Sequence, residues 1–267
     1  MRLSKLCPLL LCLPLLAGCG RGMPAGESCL PPDALPDPAE AVEAVTIPPD
    51  WDIPKEAVYC QIEDYEISRS YRFYDAHDNM ILERDDDEED VLRIHYTYND
   101  DDTYAYRSTQ DIFGVEKERY VYDDDKNVAQ CFPYEGGKET GYIAYEYDER
   151  GQVTREYYMR LDDHVCMYDL HYKNDYDDAG RLTAHRQTGG AYAVDTYYDH
   201  DAQGNVIHET LWSPLLREIV GEERYAYGDD GRLLTHASYG STVIVQSRYT
   251  YIDLTEDTQK TNENGGI

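Results

Sequence analysis

Residues 145–154 read YEYDERGQVT, and residues 225–234 repeat the pattern as YAYGDDGRLL. Residues 176–183 (YDDAGRLT) and residues 201–207 (DAQGNVI) fit the same frame. The shared unit is a tyrosine-bearing segment, a short turn rich in aspartate that ends in glycine, and a valine or leucine two residues after the glycine. A unit that recurs at a regular spacing indicates a repeat architecture, so this unit decides the fold.

The chemistry of the unit predicts a β-hairpin. Tyrosines two residues apart lie on one face of a strand. The sequence Asp-x-x-Gly fits a type I turn that is closed by a left-handed residue and a bulge. The aspartate can accept hydrogen bonds from the turn backbone, and glycine adopts a positive φ without steric cost. The valine or leucine then starts the returning strand.

Weaker copies precede the clear ones, at residues 74–80, 98–102 and 122–128, and a partial copy occupies residues 249–253. Most of the glycine-equivalent positions lie about 24 residues apart; they are 78, 102, 126, 151, 180, 204 and 231. The first three carry Asp78, Asp102 and Lys126 in place of glycine. Aspartate tolerates a left-handed backbone, whereas lysine does so poorly. Those hairpins are therefore either irregular or displaced by one residue in this alignment.

The copies resemble the YD repeat of the rearrangement-hotspot (RHS) family, most clearly at residues 147–151 and 176–183. The resemblance covers roughly residues 65–255. It implies β-hairpin sheets that spiral, which in long family members close into shells around toxic polypeptides. We expect about eight units to be too few for a shell, and no toxin domain follows, only a polar tail at residues 259–267.

The predicted fold class is therefore all-β, with consecutive antiparallel β-hairpins forming a twisted or spiralling repeat sheet over residues 56–258. Such a sheet would have open edges, which favour pairing with a second copy, although the charge of the chain opposes it. The 27 Tyr against 3 Phe and 2 Trp suit thin, half-wetted sheets better than a thick core.

The N-terminus has the pattern of an export signal. Arg2 and Lys5 precede the apolar residues 6–16, which are too few for the ~20 that span a bilayer. Residues 16–19 (LAGC) resemble the lipobox of bacterial lipoproteins. That resemblance implies a signal peptide at residues 1–18, cleavage before Cys19 and acylation of Cys19. The alternative is an ordinary signal peptide with a chance cysteine.

We expect an exported protein that is lipid-anchored to the bacterial cell membrane, with its domain outside the cytoplasm. The membrane is the inner (plasma) or the outer one, depending on the host envelope. Two or three acyl chains anchor a protein firmly, since each buried methylene contributes about 0.8 kcal/mol. Residues 19–55 contain eight prolines and predict a semi-extended tether, which at ~3.1 Å per residue reaches on the order of 100 Å.

The net charge of −30, from 24 basic and 54 acidic residues, excludes nucleic acid as a partner. No nucleophile elbow, phosphate loop, dinucleotide fingerprint or paired-histidine zinc motif is present. The carboxylates are too numerous for a catalytic pair to be identified. We therefore expect no catalytic residues, no cofactor and no metal, and we interpret six scattered histidines as surface residues: His164, His171, His185, His200, His208 and His236.

Calcium is an alternative at residues 199–204, which begin like an EF-hand loop with Asp199, Asp201 and Gly204. The twelfth position, however, is Thr210 instead of glutamate, and the repeat explains the aspartates without a metal. If Cys19 is acylated, the exported chain keeps four other thiols: Cys29, Cys60, Cys131 and Cys166. They allow two disulfides in three possible pairings, or free thiols.

The predicted function is a surface-exposed binding or structural module for a protein or glycan ligand, without enzymatic activity. A tyrosine-rich sheet can stack on sugar rings or accept a partner strand along its edge. Two alternatives remain. One is an envelope enzyme that acts on wall or glycan, and the other is an accessory or immunity lipoprotein that binds a basic toxin.

Overall fold

The computed structural model describes residues 30, 34–36, 45–48, 51–65, 68–86, 91–111, 113–188, 193–240 and 243–254. The predicted signal peptide, Cys19, Cys29 and the tail at residues 259–267 lie outside the described residues. The described part of the chain is built from β-strands, turns and irregular segments, and it contains no helix long and apolar enough to cross a membrane.

The described residues form seventeen strands in one sheet. They are β1 (Tyr59–Asp64), β2 (Arg69–Tyr74), β3 (Met80–Asp85), β4 (Val91–Tyr98), β5 (Tyr104–Asp111), β6 (Gly114–Tyr122), β7 (Val128–Glu135), β8 (Lys138–Glu139), β9 (Gly141–Tyr147), β10 (Val153–Arg160), β11 (Cys166–Tyr176), β12 (Leu182–Gln187), β13 (Asp195–His200), β14 (Val206–Ser213), β15 (Glu218–Tyr227), β16 (Leu233–Gly240) and β17 (Val243–Asp253).

The sheet closes on itself. Each strand pairs antiparallel with its chain neighbours, and β17 pairs with β1 over six residue pairs from Tyr59↔Asp253 to Asp64↔Arg248. The two-residue β8 lies beside β7, and β9 also pairs directly with β7, so sixteen strands complete the ring. The all-β prediction with consecutive antiparallel hairpins is confirmed. The prediction of a spiralling sheet with open edges is wrong, because pairing the first strand with the last satisfies both edges.

The repeat turns have the predicted geometry. In the turn at residues 148–152, Gly151 N donates to Asp148 O at 2.9 Å and Asp148 N donates to Gln152 O at 2.9 Å. The Asp148 carboxylate accepts from Arg150 N at 2.9 Å and from Gln152 N at 3.0 Å. Gly151 has φ 72°. This is the type I turn with a bulge that the sequence unit indicates.

The three N-terminal copies use the same turn without glycine. Asp78, Asp102 and Lys126 have φ of 65°, 67° and 62°. Lys126 N donates to Asp123 O at 3.1 Å, as Gly151 N does to Asp148 O. The alignment is therefore in register, and the expected irregularity or displacement of these hairpins is wrong. A contact of 2.9 Å from Lys126 Nζ to Asp101 O accompanies the left-handed lysine.

The seven repeat turns lie at one end of the closed sheet, because connections in an up-and-down ring alternate between its two ends. We call this end the turn rim; it comprises residues 75–79, 99–103, 123–127, 148–152, 177–181, 201–205 and 228–232. The other end, the far rim, carries the remaining described connections. They lie at residues 65, 68, 86, 111, 113–114, 135–141, 161–165, 188, 193–194 and 214–217.

Tyrosine hydroxyls tie four of the repeats to the preceding one. The tyrosine directly before a turn donates to a group in or next to the preceding turn. These bonds run from Tyr98 to Asp75 Oδ2 at 2.5 Å, from Tyr122 to Tyr104 O at 2.8 Å, from Tyr147 to Val128 O at 2.7 Å, and from Tyr176 to Asp148 Oδ2. The second tyrosine of the repeat is thus a link between hairpins as well as a packing residue.

Part of the predicted tether packs on the outside of the sheet. We call the described residues 30, 34–36, 45–48 and 51–58 the strap. Trp51 is 4% exposed and lies edge-on to Tyr71, with ring centroids 4.8 Å apart, in a cluster with Phe73 and Leu82. The expected free linker is therefore wrong for these residues: they contact an apolar part of the outer face, where burial stabilises them.

A second strap contact joins Leu30 to β15. Leu30 N donates to Glu222 Oε2 at 3.0 Å, and Arg224 Nη2 donates to Leu30 O at 3.1 Å. The side chains of Leu30 and Ala34 pack on Ala237. The strap thus crosses the outer face from β15 to β3 before the chain enters β1.

The three described cysteines do not pair with one another. Cys60 lies on β1, Cys131 on β7 and Cys166 on β11. These strands are not adjacent in the ring. A disulfide requires Cα atoms within about 7 Å, which side-by-side strands provide and strands several places apart do not.

Replacing the left-handed lysine tests the turn geometry. Lys126→Gly should stabilise the protein by about 0.5–1 kcal/mol. Glycine removes the ~1–2 kcal/mol cost of holding a residue with a side chain in the left-handed conformation, and the larger conformational entropy of glycine in the unfolded chain offsets only part of that gain. The matched variant Gly151→Lys, at the same position of the next repeat, should destabilise by about 1–2 kcal/mol. Urea unfolding followed by circular dichroism measures both. A destabilised Lys126→Gly variant would contradict this interpretation of the turn.

Candidate binding face

The two faces of the closed sheet differ in exposure. Along β11, Asp169, His171 and Lys173 are exposed, whereas the alternating residues Tyr168 and Tyr172 are half-buried. The exposed set continues onto charged and polar residues of neighbouring strands, and the strap covers part of that face. The half-buried set therefore lines the inside of the ring.

The inner face is a nearly continuous wall of tyrosine. The strand registers place eighteen tyrosines of the described strands on it: Tyr59, Tyr74, Tyr96, Tyr98, Tyr104, Tyr120, Tyr122, Tyr145, Tyr147, Tyr158, Tyr168, Tyr172, Tyr176, Tyr198, Tyr225, Tyr227, Tyr249 and Tyr251. The rings contact one another along the wall, as in Tyr104 against Tyr120 at 4.7 Å. The prediction that paired tyrosines share one strand face holds.

The number of strands bears on what the interior can hold. A closed sheet of eight strands is just filled by its side chains, whereas one of sixteen strands is wide enough to leave a water-filled space. Inner-face hydrogen bonds run between neighbouring strands, as from Tyr168 OH to Glu156 Oε1 at 2.8 Å. Burial raises the pKa of Tyr172 and of Tyr198 to about 12, so these phenols stay protonated and can donate hydrogen bonds at neutral pH.

One half of the inner wall pairs its carboxylates with arginine. Arg72 Nε donates to Glu83 Oε1 at 2.7 Å, and its Nη1 lies against Glu63. Arg107 Nη1 lies 3.5 Å from Glu118 Oε2. Each of these three glutamates on the inner face of β1 to β6 therefore has an arginine partner, although the carboxylates outnumber the arginines.

The other half of the inner wall lacks this compensation. Among the described residues of β10 to β16, the inner face carries Glu156, Glu209 and Glu223, and its only arginine, Arg160, lies at the far rim. Burial raises the pKa of Glu156. This half is a tyrosine surface with excess negative charge.

Two of these carboxyls face each other across adjacent strands. Glu209 of β14 pairs in register with Glu223 of β15. Tyr225 OH lies 2.8 Å from Glu223 Oε2 and 3.3 Å from Glu209 Oε1, and His236 Nε2 lies 2.9 Å from Glu223 Oε2. The Tyr225 and His236 rings stack at 4.9 Å. A cross-strand pair of like charges is destabilising unless one member is neutralised or bound.

The pair divides its protons unequally. Desolvation first, and then the charge of Glu223, raise the pKa of Glu209. Desolvation also opposes ionisation of Glu223, but the hydrogen bonds from His236 and Tyr225 lower its pKa. Two neighbouring carboxyls thus have pKa values displaced in opposite directions.

The candidate calcium residues do not assemble a site. Asp201 Oδ1 and Oδ2 accept from Asn205 N at 2.8 Å and Asn205 Nδ2 at 2.9 Å, so its carboxylate serves the turn. Asp199 lies on the outer face, 3.1 Å from His208 Nδ1. No cluster of three or more metal-ligating side chains occurs among the residues that the structure describes.

The sequence analysis interprets the six scattered histidines as surface residues, but not all of them lie on the outer surface. His164 and His171 are exposed. His185 and His236 lie on the inner face, where His185 stacks on Tyr172 at 4.3 Å and burial lowers its pKa. Three of the inner glutamates carry a signal that the sequence analysis missed: a glutamate two residues before a tyrosine on the same strand. The pairs are Glu118 and Tyr120, Glu156 and Tyr158, and Glu223 and Tyr225.

No family model matches the chain, and no curated protein matches it. Among solved structures, the chain is similar to a porin-like protein from Bacteroides uniformis, with 10% identity and a TM-score of 0.46 over 74% of this chain and 98% of that one. It is also similar to a Tc holotoxin pore from Photorhabdus luminescens, with 14% identity and a TM-score of 0.30 over 72% of this chain. A TcdB2–TccC3 structure gives 13% identity and a TM-score of 0.30. The chain spans about a tenth of the length of these two toxin chains.

The unequal carboxyl pair predicts opposite effects of two matched substitutions. Because folding raises the pKa of Glu209, stability falls as pH rises through that pKa and stays lower above it. Glu209→Gln cannot ionise, so it should raise the melting temperature at pH 8 and leave it unchanged below about pH 4, where the native carboxyl is also protonated.

Glu223→Gln should have the opposite effect and lower the melting temperature at pH 8. The lowered pKa of Glu223 contributes stability above the unfolded value, and that stability is lost as pH falls. The variant should lose on the order of 1 kcal/mol at pH 8, since it replaces charge-assisted hydrogen bonds that are partly open to water, and the loss should shrink on acidification. Equal responses of the two variants in thermal melts across pH 3–8 would rule out the unequal division of protons.

Proposed function

We propose that this protein is an exported, lipid-anchored binding module whose inner face takes a neutral or amine-bearing oligosaccharide. The observation that carries the proposal is the tyrosine wall with uncompensated carboxylates on the inner face of β10 to β16. The proposed role is binding without catalysis.

The wall offers both kinds of contact that sugars use. Aromatic rings stack on the apolar faces of sugar rings, while phenol and carboxylate groups bond to the hydroxyls. Tyr172 and His185 form a stacked platform at 4.3 Å. Glu156, on the neighbouring strand, provides acceptors beside Tyr168. The same wall thus combines stacking surfaces with polar groups that fix orientation.

Charge selects among glycans. The chain carries a net charge of −30, and the inner face of β10 to β16 adds three carboxylates without a nearby arginine or lysine among the described residues. Sulfated and uronate-bearing chains are repelled, whereas neutral and amine-bearing sugars are not.

The anchor is the acylated Cys19, which holds the domain outside the cytoplasm on the bacterial cell membrane. Leu30, eleven residues later, contacts β15 through Glu222 and Arg224. At ~3.6 Å per residue the intervening chain spans at most about 40 Å. The domain therefore stays closer to the membrane than a free tether over residues 19–55 would allow.

A glycan array tests the binding role, with neutral, amine-bearing and sulfated oligosaccharides. The full chain should retain neutral or amine-bearing chains and not sulfated ones. Tyr172→Ala, on the inner face, should weaken binding by roughly three- to tenfold, the equivalent of about 0.6–1.4 kcal/mol for one aromatic contact. The control is Tyr197→Ala, on the outer face, which should bind as the parent does.

Binding lost equally in both variants, or retained only for sulfated chains, would contradict the inner-face site. Turnover of a bound oligosaccharide would show that the module is an enzyme. Thermal melts of both variants establish that each is folded before its binding is compared.

Cys19→Ala tests the anchor independently of the ligand. The variant should move from the membrane fraction to the soluble fraction after cell lysis, because the acyl chains supply the attachment. Cys166→Ala, at an exposed thiol of β11, is the control and should stay with the membrane. Membrane attachment that survives Cys19→Ala would remove the lipoprotein interpretation.

A further inference from the structure

Strand β17 extends past the end of its neighbour β1 at the far rim. The seam that closes the sheet ends at the pair Asp64↔Arg248. Beyond that pair β17 continues as residues 243–247, which we call the overhang, and the overhang pairs with β16 on one side only. On the other side β1 has ended, since the chain reverses there through a hydrogen bond of 2.9 Å from Tyr65 N to Ser68 O.

The overhang leaves backbone hydrogen-bonding groups open on the side of β1. Successive residues of a strand direct their N–H and C=O groups to alternate sides, so about half of these groups point away from β16. Within the part of the chain that the structure describes, no backbone hydrogen bond reaches the overhang from that side. At ~3.4 Å per residue the open edge is about 17 Å long, which is enough for a short strand to pair with it.

The overhang has none of the features that usually protect an open edge. Natural sheets block such edges with charged side chains, especially lysine, or with proline. Residues 233–247 contain no Asp, Glu, Lys, Arg or Pro, although 29% of the chain is charged. Ile244 is 44% exposed and Val245 is 42% exposed. Because successive side chains lie on opposite faces, the open edge offers an apolar contact on both faces of the sheet.

Contacts on its other sides hold the overhang in an extended conformation. All of its residues pair in register with β16. The side chain of Gln246 also donates a hydrogen bond to Ala34 O of the strap. A strand that is already extended loses little conformational entropy when a second strand pairs with it. The overhang is therefore preorganised to accept a strand.

Charge determines which kind of strand can approach the overhang. Two copies of this chain repel each other, because each carries a net charge of −30. The same field attracts a polypeptide with a net positive charge and speeds its association. The overhang itself is uncharged, so the residues that pair with it need no charge, and the positive charge of the partner lies outside them.

We propose that the overhang accepts an extended segment of a positively charged polypeptide, which pairs with β17 in line with β1 as an added strand. The paired residues of the partner are apolar and contact Ile244 and Val245, and basic residues flank them. Backbone hydrogen bonds supply the affinity, and the apolar contacts on the two faces supply the specificity. This interaction is separate from the proposed glycan site and from the lipid anchor, and it requires neither.

Three synthetic peptides test the proposal on the full chain. The probe is Lys-Lys-Val-Thr-Val-Thr-Val-Lys-Lys; a second peptide replaces its lysines with glutamate, and a third replaces its central valine with proline. The lysine peptide should bind and slow hydrogen exchange at residues 243–247. The glutamate peptide should bind at least about tenfold more weakly, because the chain repels it. The proline peptide keeps the charge but cannot complete the strand pairing, so it should also lose about tenfold.

Two matched substitutions locate the site. Ile244→Lys places a charge on the open edge and should weaken binding of the lysine peptide about tenfold. Ile207→Lys makes the same change at an exposed isoleucine of β14 beside the turn rim, and it should bind as the parent does. Thermal melts establish that both variants are folded.

The proposal is overturned if the lysine peptide does not bind, if the three peptides bind equally, or if the slowed exchange lies outside residues 243–247. Equal binding by the two lysine variants would also overturn it. Slow exchange of the overhang in the free chain that increases with protein concentration would show a contact between two copies in place of a basic partner.

Discussion

The antiparallel pairing of β1 with β17 is the interaction on which the rest of the structure depends. It joins the two ends of a chain of hairpins and continues past the strands, where Leu254 N donates to Val58 O at 2.8 Å. Without this pairing, two strands would present unpaired backbone groups along their length. With it, one face of the sheet becomes an interior and the other an exterior, although every strand alternates its side chains in the same way.

Closure explains why the chain uses tyrosine so heavily. The enclosed inner face needs side chains that pack against their neighbours and still offer polar tips. Tyrosine meets both needs: Tyr104 packs on Tyr120, while Tyr122 and Tyr147 tie consecutive hairpins through their hydroxyls. A phenylalanine wall would pack equally well but would leave the turns unlinked and the interior without donors.

Closure also encloses the charged side chains of the inner face, so their contacts with one another determine its charge. Arg72 holds Glu63 and Glu83 at one side of the ring. At the other side, Tyr225 contacts both Glu209 and Glu223, and His236 contacts Glu223. The two halves of the inner face therefore differ in whether arginine contacts their carboxyl groups. That difference, together with the stacked rings, is the physical basis of the proposed choice among ligands.

The sequence by itself determined the hairpin, because its signals are local. Asp148 and Gly151 specify a turn through bonds that span four residues, and the same frame held even where Lys126 replaces glycine. Only the tertiary structure decided that the hairpins form a closed ring, that His185 and His236 lie inside it, and that the strap around Trp51 packs on the sheet. The repeat has the same strand pairing in an open spiral as in a ring. Whether the chain forms an open spiral or a closed ring depends on the pairing of residues about 190 positions apart, such as Glu63 and Tyr249. No local sequence pattern specifies a contact over that separation.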